Sequence, residues 1–264
     1  MKLNLKTRFT NSCWGNIYRL SPLGVLTLKY WGIIHEATGR ELMKKKKVVT
    51  IIITNYNRGK FIDRAIRSCL EQIIFSKLDI ELIVVDDGST DESLNILEMF
   101  ETEIILIAHE KNKGVAAAAN SGLRAATGDY ITRLDADDFF NKLNIFVLSQ
   151  ILDENPGIGF VYTDHIRVDE RGYKQEKVCL DSEEQLYEHG AGVMFRREIF
   201  DNVGMYDEGL TNCEDYDLLA RVRRQYKGFY LPLPLYRYHI HGENISLKKD
   251  RDSFKSLVRS RYEL

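Results

Sequence analysis

From Val48 onwards, apolar residues occur in short continuous runs that are separated by helical stripes. The first run, VVTIIIT, is rich in β-branched residues, which is typical of a strand buried on both faces of a sheet. Between the first two runs, apolar residues recur every four positions at Phe61, Ala65, Cys69 and Ile73, and this spacing predicts a helix with one apolar face. The runs that predict strands span residues 48–54, 80–85, 103–108, 129–134 and 159–163.

Helical segments are predicted between the later strands as well. Ser89 and Glu92 have the spacing of a capping box, which predicts a helix beginning directly after Ser89. Small residues at 116–126 predict a helix that packs closely on the sheet. Strands and helices in this alternating order predict right-handed crossovers and a mainly parallel sheet.

Polar residues follow three of the predicted strands, at residues 54–57, 86–89 and 135–138. Ligands of such sheets bind at the carboxyl ends of the strands, so these segments are expected to line one crevice. The last of them gathers Asp135, Asp137 and Asp138 within four residues. A solvated turn that caps the next helix is the alternative interpretation, but it does not require two other strand ends to be acidic or rich in amides.

The spacing of Asp135 and Asp137 indicates a cation site. In an extended segment, residues i and i+2 point the same way, with Cα atoms about 6.5–7 Å apart. The two carboxylates could therefore reach one ion, and oxygen ligands suit Mg²⁺ or Mn²⁺. Two carboxylates do not complete an octahedron, so phosphate oxygens and water are expected to supply the remaining ligands.

Charge divides the chain into a basic arm and an acidic body. Residues 1–47 hold ten basic and two acidic residues, a balance of +8, whereas the rest of the chain has a balance of −10. The arm ends in four lysines, Lys44–Lys47, and its apolar stretch at 21–34 is too short and too polar to span a bilayer. It is either a helix packed on the body or a peripheral contact with an anionic membrane surface.

Four cysteines without C-x-x-C spacing, and no secretory signal, lead us to expect a cytoplasmic protein with reduced thiols. An acidic body would repel nucleic acid, so a nucleic-acid partner is not expected.

Five segments, in this order, resemble the family-two glycosyltransferases of GT-A fold: VTIIITNYNRGKFIDRAIRSCLEQ, ELIVVDDGSTDES, KNKGVAAAANSGLRAATGDYITRLDADD, GVMFRREIFDNVGMYDEG and CEDYDLLAR. The resemblance covers about residues 48–246. It implies an α/β fold with a Rossmann-like, mainly parallel sheet flanked by helices and a smaller mixed acceptor-side region. It also implies inverting transfer of a sugar from a nucleotide-diphosphate donor, usually a UDP-sugar, to a glycan or lipid-linked acceptor hydroxyl in surface polysaccharide or glycan synthesis.

The resemblance also implies roles for individual residues near the donor. Asp87 would accept the N3–H of uracil, which favours uracil over cytosine because cytosine has no proton there. Gly114 would permit close approach of the backbone to the donor. Asn120 is either a donor contact or part of the polar face of a helix. The residues implied for donor binding are Thr54, Asn55, Tyr56, Asp86, Asp87, Gly114, Asn120 and Asp135.

The implied metal is Mn²⁺ or Mg²⁺. Asp137 would bind the metal, and Asp135 would reach the ribose or the metal. A third ligand is implied in the late segment YRYHIHGENIS. His239 and His241 are two positions apart there, so on a strand they would share a face. The spacing to Asn244 and Ser246 favours His241. Imidazole can join oxygen ligands on Mn²⁺.

An inverting transfer needs one carboxylate to take the proton of the acceptor hydroxyl. The resemblance places this base at Asp215, with the adjacent Glu214 as the alternative. Asp217 is predicted to be structural, because residues i and i+2 of a helix do not share a face.

The sequence is thus divided into the arm, 1–47, a glycosyltransferase domain, 48–246, and a tail, 247–264. The domain has a nucleotide-binding half, 48–138, and an acceptor half, 139–246. A nucleotidyl transferase is disfavoured because NYNRGK is not a glycine-rich phosphate loop. A non-catalytic sugar-nucleotide or carbohydrate-binding module on the same fold is the alternative function.

Overall fold

A computed structural model describes residues 47–75, 78–188, 192–242, 244 and 251–262. The predicted arm lies outside the described residues, apart from Lys47. Lys46–Leu264 form one compact unit. Within the described residues, every helix is too short or too polar to cross a membrane.

The first four strands form the predicted parallel sheet, in the order β3-β2-β1-β4. Their bounds are β1 Val48–Asn55, β2 Asp79–Asp86, β3 Ile105–Ala108 and β4 Tyr130–Asp135. The prediction for this half of the sheet is confirmed, although β3 begins two residues later than its apolar run. The central strand β1 is almost wholly buried, as its continuous apolar pattern predicted.

Three helices connect these strands: α1 Gly59–Phe75, α2 Ser93–Glu98 and α3 Val115–Ala125. The small-residue helix α3 packs on the sheet so closely that a Cβ atom added at Gly122 would collide with Ile52 of β1. Helix α3 therefore needs its small residues for contact with the strand whose end carries Thr54 and Asn55.

The predicted capping box at Ser89 and Glu92 is wrong. Helix α2 begins at Ser93, and it is Asp91 whose carboxylate accepts hydrogen bonds from the backbone N–H of Ser93, at 3.0 Å, and of Gly59, at 2.9 Å. The hydroxyl of Ser89 instead accepts the backbone N–H of Asn57 at 2.9 Å. The loop after β2 thus holds the loop after β1, through Ser89, and the starts of both α1 and α2, through Asp91.

The remaining elements extend the same sheet. It continues as β4-β8-β6-β9-β5, with β7 paired to β6, and β8 is antiparallel to both of its neighbours. The second half of the sheet is therefore mixed, as expected for the acceptor side. The bounds are β5 Phe139–Phe140, α4 Asn144–Glu154, β6 Phe160–Val168, β7 Lys174–Val178, α5 Glu183–Glu188, β8 Met194–Arg196, α6 Glu198–Val203, α7 Glu214–Arg223 and β9 Gly228–His239.

A last helix, α8 Arg251–Tyr262, packs on α7. Val258 is fully buried in the same apolar cluster as Tyr216, and the hydroxyl of Tyr262 donates to Asp217 at 2.8 Å. Although the family resemblance ends near residue 246, α8 therefore supports the helix that carries Glu214 and Asp215.

Candidate active site

The ends of three parallel strands meet at one edge of the sheet. In the register of the sheet, Asn55 of β1 pairs with Asp86 of β2, and Thr54 pairs with Asp135 of β4. The side chains are also in contact: Asn55 Nδ2 donates to Asp86 at 2.7 Å, and the Thr54 hydroxyl donates to Asp135 at 3.4 Å. The prediction that these strand ends come together is confirmed, and the binding of a ligand there stays a prediction.

Asp86 and Asp87 are buried, with 1% and 2% of their surface exposed, and both carboxylates organise loops. Asp86 accepts the backbone N–H of Ser89 at 2.9 Å. Asp87 accepts the backbone N–H groups of Lys113 and Gly114, at 2.9 and 2.8 Å. Their proposed contacts with a nucleotide therefore remain predictions, and a base that bonds to Asp87 must share it with these donors.

His109 adds a third contact to Asp87. Its Nδ1 lies 2.6 Å from Oδ1 of Asp87, and its Nε2 lies 2.9 Å from the hydroxyl of Ser121 on α3. The imidazole thus ties the end of β2 to helix α3.

Two features near these carboxylates leave room for a ligand. Gly114 has φ +97, a left-handed value that favours glycine, and nothing lies within 4 Å of the position a Cβ would take. Tyr56 is 43% exposed, so its ring can be stacked upon. Oδ1 of Asn55 is buried and accepts no hydrogen bond from the described residues.

The D-x-D segment is a turn and not an extended segment, so the premise that Asp135 and Asp137 point the same way along a strand is wrong. Strand β4 ends at Asp135, and the backbone N–H of Asp138 returns to the carbonyl of Asp135 at 3.0 Å. Asp138 is buried and fixes β9, since it accepts the Tyr236 hydroxyl at 2.6 Å and the His239 N–H at 2.8 Å. Burial and the charge of Asp137 raise the pKa of Asp138 well above its usual value.

Asp137 meets His241 and Arg58 across this turn. Its Oδ2 lies 2.9 Å from Nε2 of His241 and 3.3 Å from Nε of Arg58. Burial raises the pKa of Asp137, but the hydrogen bond from His241 and the charge of Arg58 outweigh it and hold the pKa below its usual value. Burial raises the pKa of Asp135, against the charge of Arg133.

The donor atoms of Asp135, Asp137 and His241 suit Mn²⁺ or Mg²⁺ in kind, being carboxylate oxygen and imidazole nitrogen. Across the part of the chain that the structure describes, however, no three His, Cys, Asp or Glu side chains are gathered closely enough to hold a metal. Nε2 of His241 lies 2.9 Å from Oδ2 of Asp137. Both imidazoles are buried against the Phe61 ring, with centroids 4.9 Å away for His239 and 4.8 Å for His241. His241 is thus placed beside Asp137, and its role as the third ligand stays a prediction.

Glu214 and Asp215 begin helix α7, and they differ in environment. Glu214 is 5% exposed and accepts Nη1 of Arg133 at 2.9 Å. Burial and the charge of Asp215 raise the pKa of Glu214 to about 7, against the charge of Arg133. Asp215 is half-buried and makes no hydrogen bond to the described residues, and its role as the base stays a prediction.

Asp217 is structural, as predicted. It is 1% exposed and accepts Nε of Arg221 and the hydroxyl of Tyr262, at 2.9 and 2.8 Å. Asn120 is also fully engaged inside the protein: its Nδ2 donates to the carbonyl of Tyr206 at 2.9 Å, and its Oδ1 accepts the N–H of Tyr206 at 2.9 Å. Asn120 therefore fixes the segment that precedes α7, and its contact with a donor stays a prediction.

Arg133, Arg58 and His109 contact the candidate site residues but were not among the residues predicted from the sequence. Of the three, only Arg133 could have been found from the sequence, because it is a charged residue inside an apolar strand. It stands two positions before Asp135, and residues i and i+2 of a strand point to the same face. Arg58 comes three residues after the end of β1 and His109 directly follows β3, but no pattern in the sequence marks the partners of either side chain.

A family model described as Glycosyl transferase family 2 matches residues 50–204. Chondroitin synthase of Escherichia coli is 29% identical over 220 residues, which are 78% of this chain and 31% of that protein. Hyaluronan synthase of Pasteurella multocida is 26% identical over 215 residues, which are 76% of this chain and 21% of that protein. The chain thus spans about a third or less of the length of these two relatives.

Two solved structures are similar in fold. TarS 1–349 of S. aureus, in complex with UDP-GlcNAc, has a TM-score of 0.65 at 24% identity, covering 82% of this chain and 66% of that one. The mannosyltransferase PcManGT of Pyrobaculum calidifontis, in complex with GDP-Man and Mn²⁺, has a TM-score of 0.58 at 19% identity, covering 91% and 70%. The predicted α/β fold of GT-A type is confirmed.

Proposed function

We propose that this chain, which belongs to glycosyl transferase family 2, transfers a sugar from a UDP-sugar to an acceptor hydroxyl. The transfer would invert the configuration at the anomeric carbon. The observation that carries the proposal is the position of Arg133, whose guanidinium contacts both Asp135 and Glu214. One side chain therefore joins the strand end expected to face the donor to the helix expected to carry the base.

In the proposed reaction, Asp215 takes the proton of the acceptor hydroxyl while its oxygen attacks the anomeric carbon. The bond to the diphosphate breaks on the opposite face, so an α-linked donor gives a β-linked product. Glu214 is less suited to be the base, because its carboxylate already pairs with Arg133 at 2.9 Å.

Asp135, Asp137 and His241 would hold the proposed Mn²⁺ or Mg²⁺, which when bound supplies positive charge to the departing diphosphate. The donor set and the Mn²⁺ bound to PcManGT support this assignment. The chain's own contribution is to orient these ligands: Asn244 accepts the backbone N–H of His241 at 2.7 Å, and Thr54 donates to Asp135. The donor is proposed to be a UDP-sugar, since TarS structures were solved with UDP and UDP-GlcNAc.

The function is tested by incubating the protein with a panel of UDP-sugars and GDP-Man, with Mn²⁺ or EDTA, and measuring release of the nucleoside diphosphate. We expect UDP release from at least one UDP-sugar, abolished by EDTA. Binding of UDP-sugars without release, also in the presence of glycan and lipid-linked sugar acceptors, would favour the binding-module alternative. Release from GDP-Man alone would overturn the uracil assignment.

The basic arm, residues 1–47, is proposed to hold the enzyme on the anionic cytoplasmic face of a membrane, where a lipid-linked acceptor would be presented. Lysines near such a surface contribute about 1 kcal/mol each, screened over a Debye length of about 8 Å at physiological salt. We expect the protein to sediment with vesicles containing phosphatidylglycerol at low salt, and less so as salt rises. Removing residues 1–43 and neutralising Lys44–Lys47 should release it while UDP binding persists; no sedimentation of the full chain at low salt would contradict the proposal.

A further inference from the structure

Arg133 joins the end of strand β4 to the start of helix α7. It projects from β4 on the same face as Asp135, with its Nε 3.5 Å from Oδ1 of that carboxylate. Its Nη1 lies 2.9 Å from Oε1 of Glu214, on a helix 81 residues further along the chain. The side chain is only 15% exposed, so these contacts are made largely out of water.

The two contacts are unequal. The ion pair with Glu214 is short, and Glu214 is itself buried, with 7% of its side chain exposed. The contact with Asp135 is long, as is the 3.4 Å hydrogen bond from Thr54, and 38% of the Asp135 side chain is exposed. Arg133 thus makes its shorter ion pair with Glu214, and the Asp135 side chain stays exposed enough for a ligand to reach it.

The guanidinium also rests on a fixed surface. It lies over the ring of Tyr206, 5.2 Å from the centroid. Tyr206 is held by the Asn120 amide on one side, and Arg221 donates to the carbonyl of the preceding residue, Met205, at 2.8 Å. Arg133 therefore has a defined position relative to both the sheet and the segment leading to α7.

The start of helix α7 needs such a support. The residue before it, Cys213, has φ +61, a left-handed conformation that residues other than glycine rarely adopt. In the described structure its side chain does not cap the helix. Glu214, the first residue of α7, makes an inward ion pair with Arg133 beside Asp215, in addition to the contacts through which Asp217 and α8 hold the helix.

We propose that Arg133 is a positioning residue, which anchors Glu214 so that Asp215 is directed at the acceptor hydroxyl. The inference rests on the proposed function for its kinetic consequence, but its structural part concerns α7 alone. Arg133 touches neither the transferred sugar nor the attacking oxygen in this proposal; it acts through Glu214. A lysine cannot replace it, because one ammonium lacks the planar fork that reaches Glu214 while lying over Tyr206.

Amide hydrogen exchange tests the structural part without any substrate. In Arg133→Gln, we expect amides in the first turns of α7 to exchange at least about tenfold faster than in the parent, while β1 and β2 are unchanged. The matched control is Arg167→Gln, which removes an arginine ion-paired with Glu176 on the β6–β7 hairpin, away from α7. Unchanged exchange in α7 would overturn the proposal, whether or not the protein turns over a donor.

Kinetics with UDP-GlcNAc as the probe test the functional part. Arg133→Lys and Arg133→Gln should lower kcat for UDP release at least about tenfold and change KM less than about threefold.

In the double variant Arg133→Met/Glu214→Leu, an apolar pair replaces the buried charges, which often restores stability. We expect its Tm to approach that of the parent while kcat stays low. Recovery of kcat together with Tm would show that Arg133 only neutralises Glu214, and would overturn the proposal; a parent that releases no UDP from any donor would instead refute the proposed function.

Discussion

Replacement of Asp215 by asparagine is expected to lower kcat by about 10²–10⁴-fold, the usual contribution of a general base, while UDP affinity stays within a few-fold of the parent. Asparagine keeps the shape of the side chain but cannot take a proton from the acceptor hydroxyl. Because Asp215 is half-buried and makes no hydrogen bond to the described residues, the substitution breaks no internal contact found there. Turnover of UDP-sugar with acceptor, compared with calorimetric titration of UDP, measures the two quantities separately.

The matched control is Asp201→Asn, an exposed carboxylate on α6, which should leave both quantities unchanged. If Asp215→Asn retains turnover within a few-fold of the parent, Asp215 is not the base. Glu214→Gln would then be examined next, although that substitution also removes the partner of the buried Arg133 and should lower the Tm. A loss of kcat confined to Asp215 would separate the role of the base from that of the ion pair.

The sequence predicts the parallel half of the fold well, because its signals are local. The run VVTIIIT and the stripe beginning at Phe61 indicate β1 and α1 without knowledge of their neighbours. The mixed half contains strands of two and three residues, β5 and β8, whose existence depends on pairing with β9, β4 and β6. Such short strands have no periodicity of their own, so the sequence could predict a mixed region but not its strand order.

In the candidate site too, the features that depend on local sequence could be predicted, and the contacts between distant residues could not. Strand ends are local features, and the topology of parallel sheets is enough to bring residues 54–57, 86–89 and 135–138 together. The contact of Arg133 with Glu214 joins residues 81 positions apart, and that of His241 with Asp137 joins residues 104 apart. No pattern in the sequence encodes these pairs, although the family resemblance indicated that His241 and Asp137 act together.

The error in the D-x-D segment has a physical cause. The expectation of an extended segment assumed that β4 continued through Asp137, but pairing with Thr54 ends at Asp135 and the chain then turns. The turn is fixed by Asp138, whose carboxylate is occupied by β9. The third aspartate, Asp138, therefore has a structural role that separates it from the other two.

Asp137→Ala is expected to weaken UDP binding in the presence of Mn²⁺ at least about tenfold, which corresponds to about 1.4 kcal/mol. The carboxylate is the point where His241 and Arg58 converge, so its loss removes a proposed metal ligand and the anchor of a second one. The fold should survive, because the turn and β9 are held by Asp138 and not by Asp137. Calorimetric titration of UDP with Mn²⁺ and with EDTA, together with the Tm, measures the effect.

Asp63→Ala is the matched control for Asp137→Ala, since this carboxylate is paired with Arg67 on the surface of α1 and should not affect UDP binding. The EDTA titration distinguishes two explanations that the geometry allows. If the parent loses affinity in EDTA and Asp137→Ala is insensitive to EDTA, Asp137 holds the cation. If the parent binds UDP equally well with and without Mn²⁺, the metal assignment is wrong, and Arg58, which lies 3.3 Å from Asp137, becomes the cation that faces the diphosphate. Affinity in Mn²⁺ that is lost in EDTA but undiminished by Asp137→Ala would place the ion on other ligands.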